Sequence, residues 1–348
     1  MTLIFSGLVF LLLGAEILVR GASRLASSFS ISPLVIGLTV VAFGTSAPEF
    51  AVSVGGALAG QGDLALGNVV GSNIFNVLFI LGLAAVIHPL TVAEKLVRLD
   101  VPLMIGASLL VLLFGWDSRI SRFEGLALLV LGITYTVVQI RQGLVHGEGS
   151  NEASLGPANL TLRVGRGRAL LMIALGLGFL VFGARWLVEG ATGVARSLGI
   201  GELVIGLTVV AAGTSLPEVA TSVLASLRGE RDIAVGNVIG SNLFNILWVL
   251  GLTSALSPQG VAVSASSWGW ELPMMMVSAL VCLPILFSDF VVSRWEGGLF
   301  LATFLAYTAF LVANALGVAI PWGLRFGLLG LLVLGGMAPL IFLRRKRA

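Results

Sequence analysis

Residues 34–83 match residues 203–252 without a gap at a constant offset of 169, with 33 of 50 positions identical. So close an internal copy requires that whatever the first half of the chain forms, the second half forms again. Each copy carries, inside a strongly apolar run, a single carboxylate beside a proline: Gly44-Thr45-Ser46-Ala47-Pro48-Glu49 and Gly213-Thr214-Ser215-Leu216-Pro217-Glu218. A carboxylate in such surroundings is costly to bury, and at membrane depth it marks a functional site. Two of them related by repetition point to one shared cation site.

The surroundings are those of a bilayer. The chain is 57% hydrophobic and only 11% charged, far from the mix of a soluble domain. Apolar segments long enough to span as helices fall at roughly 3–20, 33–60, 63–87, 99–116, 121–141, 168–190, 202–227, 232–256, 268–288, 294–316 and 326–343. The first has no basic flank ahead of it and is expected to be a span, not a secretory leader. With the N-terminus outside, fifteen of the 20 Lys and Arg residues fall on the inner side, which favours that topology. The net charge of +3 therefore reflects orientation in a membrane and gives no reason to invoke nucleic acid. The terminal Arg344-Arg345-Lys346-Arg347 cluster anchors the last span. Cys282 is the only cysteine, so neither an intrachain disulfide nor a cysteine-rich metal site is available.

The duplication reaches further than its best-matched stretch. Asp100-Val101-Pro102 answers Glu271-Leu272-Pro273, and Ser121-Arg122-Phe123-Glu124-Gly125 answers Ser293-Arg294-Trp295-Glu296-Gly297. Each repeat then holds five helices, and because five is odd the second enters the membrane from the opposite side, as in many secondary transporters. The expected fold is an all-α multi-pass membrane protein of two inverted-topology five-helix repeats plus one extra C-terminal transmembrane helix. Its parts are the first repeat at 1–141, a cytoplasmic linker at 142–167, the second repeat at 168–316, and the extra helix with a basic cytoplasmic tail at 317–348. Glu16 with Arg20, and Arg185 with Glu189, read as structural (i, i+4) pairs. Asp63 and Asp232 read as helix caps.

Proline lacks an N–H and its ring opposes a regular helix, so breaks are expected at Thr45–Pro48 and Thr214–Pro217. Irregular backbone at membrane depth is tolerated only where protein buries it or where it lines a cavity. Thr45, Ser46 and Glu49 fall on one side at helical spacing, as do Thr214, Ser215 and Glu218. The following helix adds Asn68, Ser72 and Asn76 in one copy and Asn237, Ser241 and Asn245 in the other, each set spaced by four. Proline with hydroxyls alone makes a structural kink, and an Asn and Ser stripe alone serves as interhelical glue. The two glutamates are what demand an ion, because a helix needs no carboxylate to bend. Carboxylate, hydroxyl and carbonyl oxygens suit hard cations such as Ca2+ and Na+. His88 and His146 are single, and no Walker, nucleophile-elbow or His-Glu-x-x-His motif is present, so no enzyme is expected.

Gly-Thr-Ser-x-Pro-Glu followed by Gly-Asn-Val-x-Gly-Ser-Asn-x-Phe-Asn, twice in one chain, resembles the Ca2+/cation antiporter superfamily, specifically its sodium/calcium exchanger branch and the prokaryotic members of that branch. The resemblance covers essentially residues 1–316. It implies antiport of Ca2+ against Na+ by alternating access, with the first and sixth helices sliding as a pair across an eight-helix core. It makes Glu49 and Glu218 ligands shared by both ions and places Thr45 and Thr214 around Ca2+. It puts Ser46, Ser215, Ser72 and Ser241 at flanking Na+ positions completed by the backbone carbonyls of Ala42 and Ala211, and it adds Asn76 and Asn245 to the site. In one departure, relatives often carry Asp where this chain has Asn245, which leaves two carboxylates in the pocket.

The expectation is thus a Ca2+/Na+ antiporter of the inner or plasma membrane, N-terminus outside and C-terminus cytoplasmic. Its partners are the lipid bilayer and its ions, with no cofactor and no obligate protein partner. A Ca2+/H+ antiporter is the nearest alternative, since a carboxylate pair that shares a cation can also trade it for protons. A passive cation channel is disfavoured, because broken helices and inverted repeats belong to midplane pockets and not to open pores.

Overall fold

The structure, a computed structural model, describes residues 1–146, 165–318, 321, 323–324 and 327–336. Most of the expected linker, the side chain of His146, the terminal basic cluster and the end of the expected eleventh span lie outside the described residues. What is described is nearly all helical. In chain order the helices are α1 (Thr2–Phe29), α2 (Pro33–Thr45), α3 (Ala47–Leu58), α4 (Leu64–Ile87), α5 (Leu96–Asp117), α6 (Arg122–Gly143), α7 (Arg166–Ser197), α8 (residues 202–213), α9 (Leu216–Leu227), α10 (Arg231–Leu256), α11 (Ser267–Phe287), α12 (Arg294–Ala315) and α13 (Gly327–Gly336). Eight of these are long and apolar enough to cross a membrane, and the bent pair α2 and α3 makes a ninth. The expected seventh span is present as two shorter pieces, α8 and α9, and the expected eleventh as α13.

The expected breaks are where the prolines put them. α2 and α3 meet at 47°, with Ser46 between them and Pro48 in the first turn of α3. The second copy repeats this at Thr214–Ser215, with Pro217 opening α9. Wider π-helical turns, which sequence periodicity does not announce, interrupt α2, α4 and α5 at Gly37–Val41, Phe75–Leu81 and Leu96–Asp100, and recur in the second copy at Gly206–Val210, Asn245–Leu250 and Ser267–Glu271. Such turns often sit at functional sites.

One departure from the all-helical expectation is small but regular. Four two-residue strands form two antiparallel ladders, β1 (Leu90–Thr91) with β4 (Val291–Val292) and β2 (Arg119–Ile120) with β3 (Val261–Ala262). Each ladder ties a loop of one copy to a loop of the other. Segments of two residues carry no propensity signal; helix packing lays them edge to edge and their backbone groups then pair.

Two apolar cores result. The larger is built from α4, α5, α10, α11 and α12 and includes Ile74, Leu78, Met104, Ile246, Met274 and Phe300. The smaller joins α1 and α7 through Leu11, Leu18, Ile173 and Leu180, and meets the rest through Ile36 and Val41. In a bilayer, association of helices rests on close packing, which small residues permit. A Cβ on Gly14 would come 2.8 Å from the Gly176 carbonyl oxygen, and one on Gly183 would come 2.7 Å from the Leu11 nitrogen, so α1 and α7 touch backbone to backbone.

Among the charged pairs, Glu16 and Arg20 close at 2.5 Å, and Glu16 also meets Arg228 at the end of α9. The mirrored Arg185 and Glu189 form no ion pair among the described residues. The cap expectation fails at Asp232: the N-cap of α10 is Glu230, without a side-chain cap bond. Asp232 lies inside the first turn, where a carboxylate meets the helix dipole instead. The side chain of Asp63 lies outside the described residues.

Candidate functional site

The two breaks lie against each other, and the copies exchange contacts across them. Glu49 and Glu218 are each 1% exposed. The Ser215 hydroxyl donates to Glu49 Oε1 at 2.8 Å, and the Ser46 hydroxyl donates to Glu218 Oε1 at 3.1 Å. Each carboxylate is therefore held by the serine of the other copy, three residues before that copy's own glutamate.

The hydroxyls and amides of the next helices close around the pair. Ser72 Oγ lies 3.2 Å from Ser215 Oγ, and Thr45 lies 3.1 Å from Asn237 Oδ1 while also reaching back to the Val41 carbonyl at 3.1 Å. Asn68 donates to the Glu49 carbonyl at 3.1 Å and to Ser53 at 2.9 Å, and Asn237 donates to Ser222 at 2.9 Å. Asn76 donates to Asn242 Oδ1 at 3.0 Å and Asn245 to Asn73 Oδ1 at 3.3 Å, again one copy answering the other. Asn76 and Asn245 both sit at the start of a π-helical turn, where the widened backbone departs from simple four-residue spacing.

Ser53, Ser222, Asn73 and Asn242 escaped the sequence reading as site members. The signal was available: all four are identical between the copies and none suits an apolar helix. Asn73 and Asn242 lie off the Asn-Ser-Asn stripe, so spacing by four passes over them.

Six buried oxygens here have no hydrogen-bond partner: Glu49 Oε2, Glu218 Oε2, Asn76 Oδ1, Asn245 Oδ1, Thr214 Oγ1 and Ser241 Oγ. Each orphaned polar atom costs about 1–3 kcal/mol, and a charged one more, and buried groups are almost always satisfied. All six can accept, and none is nitrogen or sulfur, a donor set of the kind that suits a hard cation. Among the described residues no group of three His, Cys, Asp or Glu could hold a metal ion, so a cation bound here would rest on two carboxylates and neutral oxygens.

The copies are not in equivalent states. Ala42 is fully buried and its carbonyl accepts the Ser46 N–H at 3.1 Å, a bond with no counterpart between Ser215 and Ala211 among the described residues. Ala211 is exposed and Thr214 half-buried, where Thr45 is fully buried. The wall beside α8 is the more open one.

The family model for sodium/calcium exchanger proteins matches residues 1–141 and 168–313. Sodium/calcium exchanger MaX1 of Methanosarcina acetivorans is 32% identical over 339 residues, covering 88% of this chain and 95% of its own. Inner membrane protein YrbG of Escherichia coli K12 is 41% identical over 285 residues, covering 81% and 87%. Structures of the sodium-calcium exchanger NCX_Mj, solved at several Na+, Ca2+ and Sr2+ concentrations, superpose with a TM-score of 0.74 at 30% identity, covering 90% of this chain and 97% of the other.

Proposed function

The chain belongs to the sodium/calcium exchanger protein family, a family of multi-pass membrane transporters and not of enzymes, and from that membership we propose that it exchanges Ca2+ for Na+ at the Glu49–Glu218 site by alternating access. The observation that carries the reading is the pair of buried carboxylates held reciprocally by Ser46 and Ser215, each with one oxygen left unpartnered. Two carboxylates balance one divalent cation, and the neutral oxygens replace the water it must shed. In this reading the ligands are Glu49, Glu218, Thr45, Thr214, Ser46, Ser215, Ser72, Ser241, Asn76 and Asn245, with the Ala42 and Ala211 carbonyls at the flanks. The two repeats face opposite ways across the membrane, and α1 and α7 slide together over the rest, a role that their separate core supports. The likeness to an E. coli inner membrane protein supports a place in that membrane.

The test is 45Ca2+ uptake into proteoliposomes under an outward Na+ gradient, under a pH gradient, or under neither. Uptake driven by Na+ is expected. Uptake under the pH gradient alone would establish H+ as the counter-ion, and equal uptake without any gradient would indicate a channel. Thr45→Ala and Ser72→Ala are expected to lower Na+-driven uptake by about threefold to tenfold each, the worth of one neutral hydrogen-bonding group among several.

The basic residues assign an external N-terminus and an internal C-terminus. In a Cys282→Ala background, an impermeant thiol reagent outside cells is expected to label a cysteine placed at Thr2 and to spare one at Ala348. The reverse pattern would invert the topology.

A further inference from the structure

A second feature adjoins the candidate ion site but is lined by none of its proposed side-chain ligands: a cavity of about 910 Å³ between α1 and α7 on one side and α2, α6 and α10 on the other. It runs from Leu25 and Phe29 inward to Gly44 and Ala47, which flank the α2–α3 break. Its walls are apolar, and the hydroxyls they contain are already engaged. Thr39 donates to the Val35 carbonyl at 2.6 Å, Thr136 to the Gly132 carbonyl at 2.9 Å, and Tyr135 to Asp100 at 3.1 Å. A water or ion inside would find few partners, and water occupies a cavity only where polar groups receive it. The volume falls in the range of sites that enclose organic ligands, about 300–1,000 Å³. Phe29, Phe43 and Phe182, all in the lining, are exposed, so the cavity opens sideways onto the face a bilayer covers.

One end of that opening is basic. The Arg166 guanidinium lies 4.3 Å from the centre of the Phe29 ring and donates to the Ser28 carbonyl at 3.3 Å. Arg24 reaches Met172 Sδ at 3.1 Å, beside the lining residue Ile173, and Arg141 follows the lining residue Ile140 on α6. With Arg168 these make four exposed arginines at the same end of the bundle, and no carboxylate among the described residues lies within ion-pair distance of any of them. Guanidinium groups in such an array suit a phosphate.

We propose that this cavity binds an anionic phospholipid, with its acyl chains between the α1–α7 pair and the α2, α6 and α10 wall and its phosphate at the Arg24, Arg141, Arg166 and Arg168 rim. The chains cover a surface that offers water and ions few partners, and the rim supplies the charge that distinguishes an anionic headgroup from a zwitterionic one. The proposal does not depend on which ions the protein exchanges.

The test is lipid retention by the purified full-length protein, delipidated in detergent, offered phosphatidylglycerol or phosphatidylcholine, and read by native mass spectrometry. The wild type is expected to retain phosphatidylglycerol roughly tenfold more strongly than phosphatidylcholine. Arg166→Gln with Arg168→Gln should bring phosphatidylglycerol down to the level of phosphatidylcholine. Gly178 lines the cavity and a Cβ there would meet nothing within 4 Å, so Gly178→Phe fills the space and should lower retention of both lipids. Gly178→Leu, a smaller filling, is measured alongside so that poor folding of the first variant leaves the test intact. Equal retention of the two lipids by the wild type would overturn the proposal, as would retention of phosphatidylglycerol unchanged by the paired arginine variant or by either filling. A stable dimer that covers this face and excludes lipid would overturn it as well.

Discussion

Glu49→Gln and Glu218→Gln are each expected to lower Ca2+ exchange by on the order of a hundredfold or more while leaving a folded, monodisperse protein. The amide keeps the volume of the side chain and can still accept from the serine of the opposite copy, so Ser215 and Ser46 retain their partners. What is lost is the negative charge that offsets the dehydration of the cation. Removing one member of a buried charge pair leaves the other uncompensated, at about 3–5 kcal/mol, and here the other member is the ion. The loss should therefore appear in 45Ca2+ flux and not in yield or thermal stability. Wild-type flux in either variant would remove that glutamate from the site.

Gly14→Val and Gly183→Val are expected to lower both folded yield and exchange severely, through a different cause. At these positions a Cβ would come 2.8 Å from the Gly176 oxygen and 2.7 Å from the Leu11 nitrogen respectively. Those neighbours are backbone and cannot turn aside, so the two helices must separate. Overpacking of this kind costs about 1–3 kcal/mol, and separation also opens the smaller core along its length. Gly193 on the same helix, where a Cβ meets nothing within 4 Å, supplies the control: Gly193→Ala should behave as wild type. The measurements are elution profile and melting temperature in detergent together with flux. A Gly14→Val protein that melts and transports like wild type would show that α1 and α7 are not held in this contact.

The sequence made the candidate ion site legible because its residues are costly where they stand. Glu49 and Glu218 have no structural reason to lie in an apolar run, and Pro48 and Pro217 dictate breaks whose positions the structure reproduces. The partners of those residues were harder to see. That Ser215 serves Glu49 and Ser46 serves Glu218 depends on how the copies meet, which local spacing does not encode. The amide pairs Asn76–Asn242 and Asn245–Asn73 depend on π-helical turns, and these shift side chains away from the regular 3.6-residue pattern. Glu16 was legible as a partner of Arg20 because the two are four residues apart. Its contact with Arg228, more than two hundred residues away, was not. The two-residue ladders and the arginine-rimmed cavity are likewise products of tertiary packing, assembled from segments that are unremarkable one at a time.

The central claim is that Glu49 and Glu218 together hold the cation, and the most direct measurement is anomalous diffraction from crystals soaked in Sr2+, a heavier stand-in for Ca2+. The account predicts one peak between the two carboxylates, within about 2.3–2.6 Å of oxygen ligands that include Glu49 Oε2 and Glu218 Oε2, and its disappearance in Glu49→Gln. A peak elsewhere in the molecule, or one that persists unchanged in that variant, would contradict it.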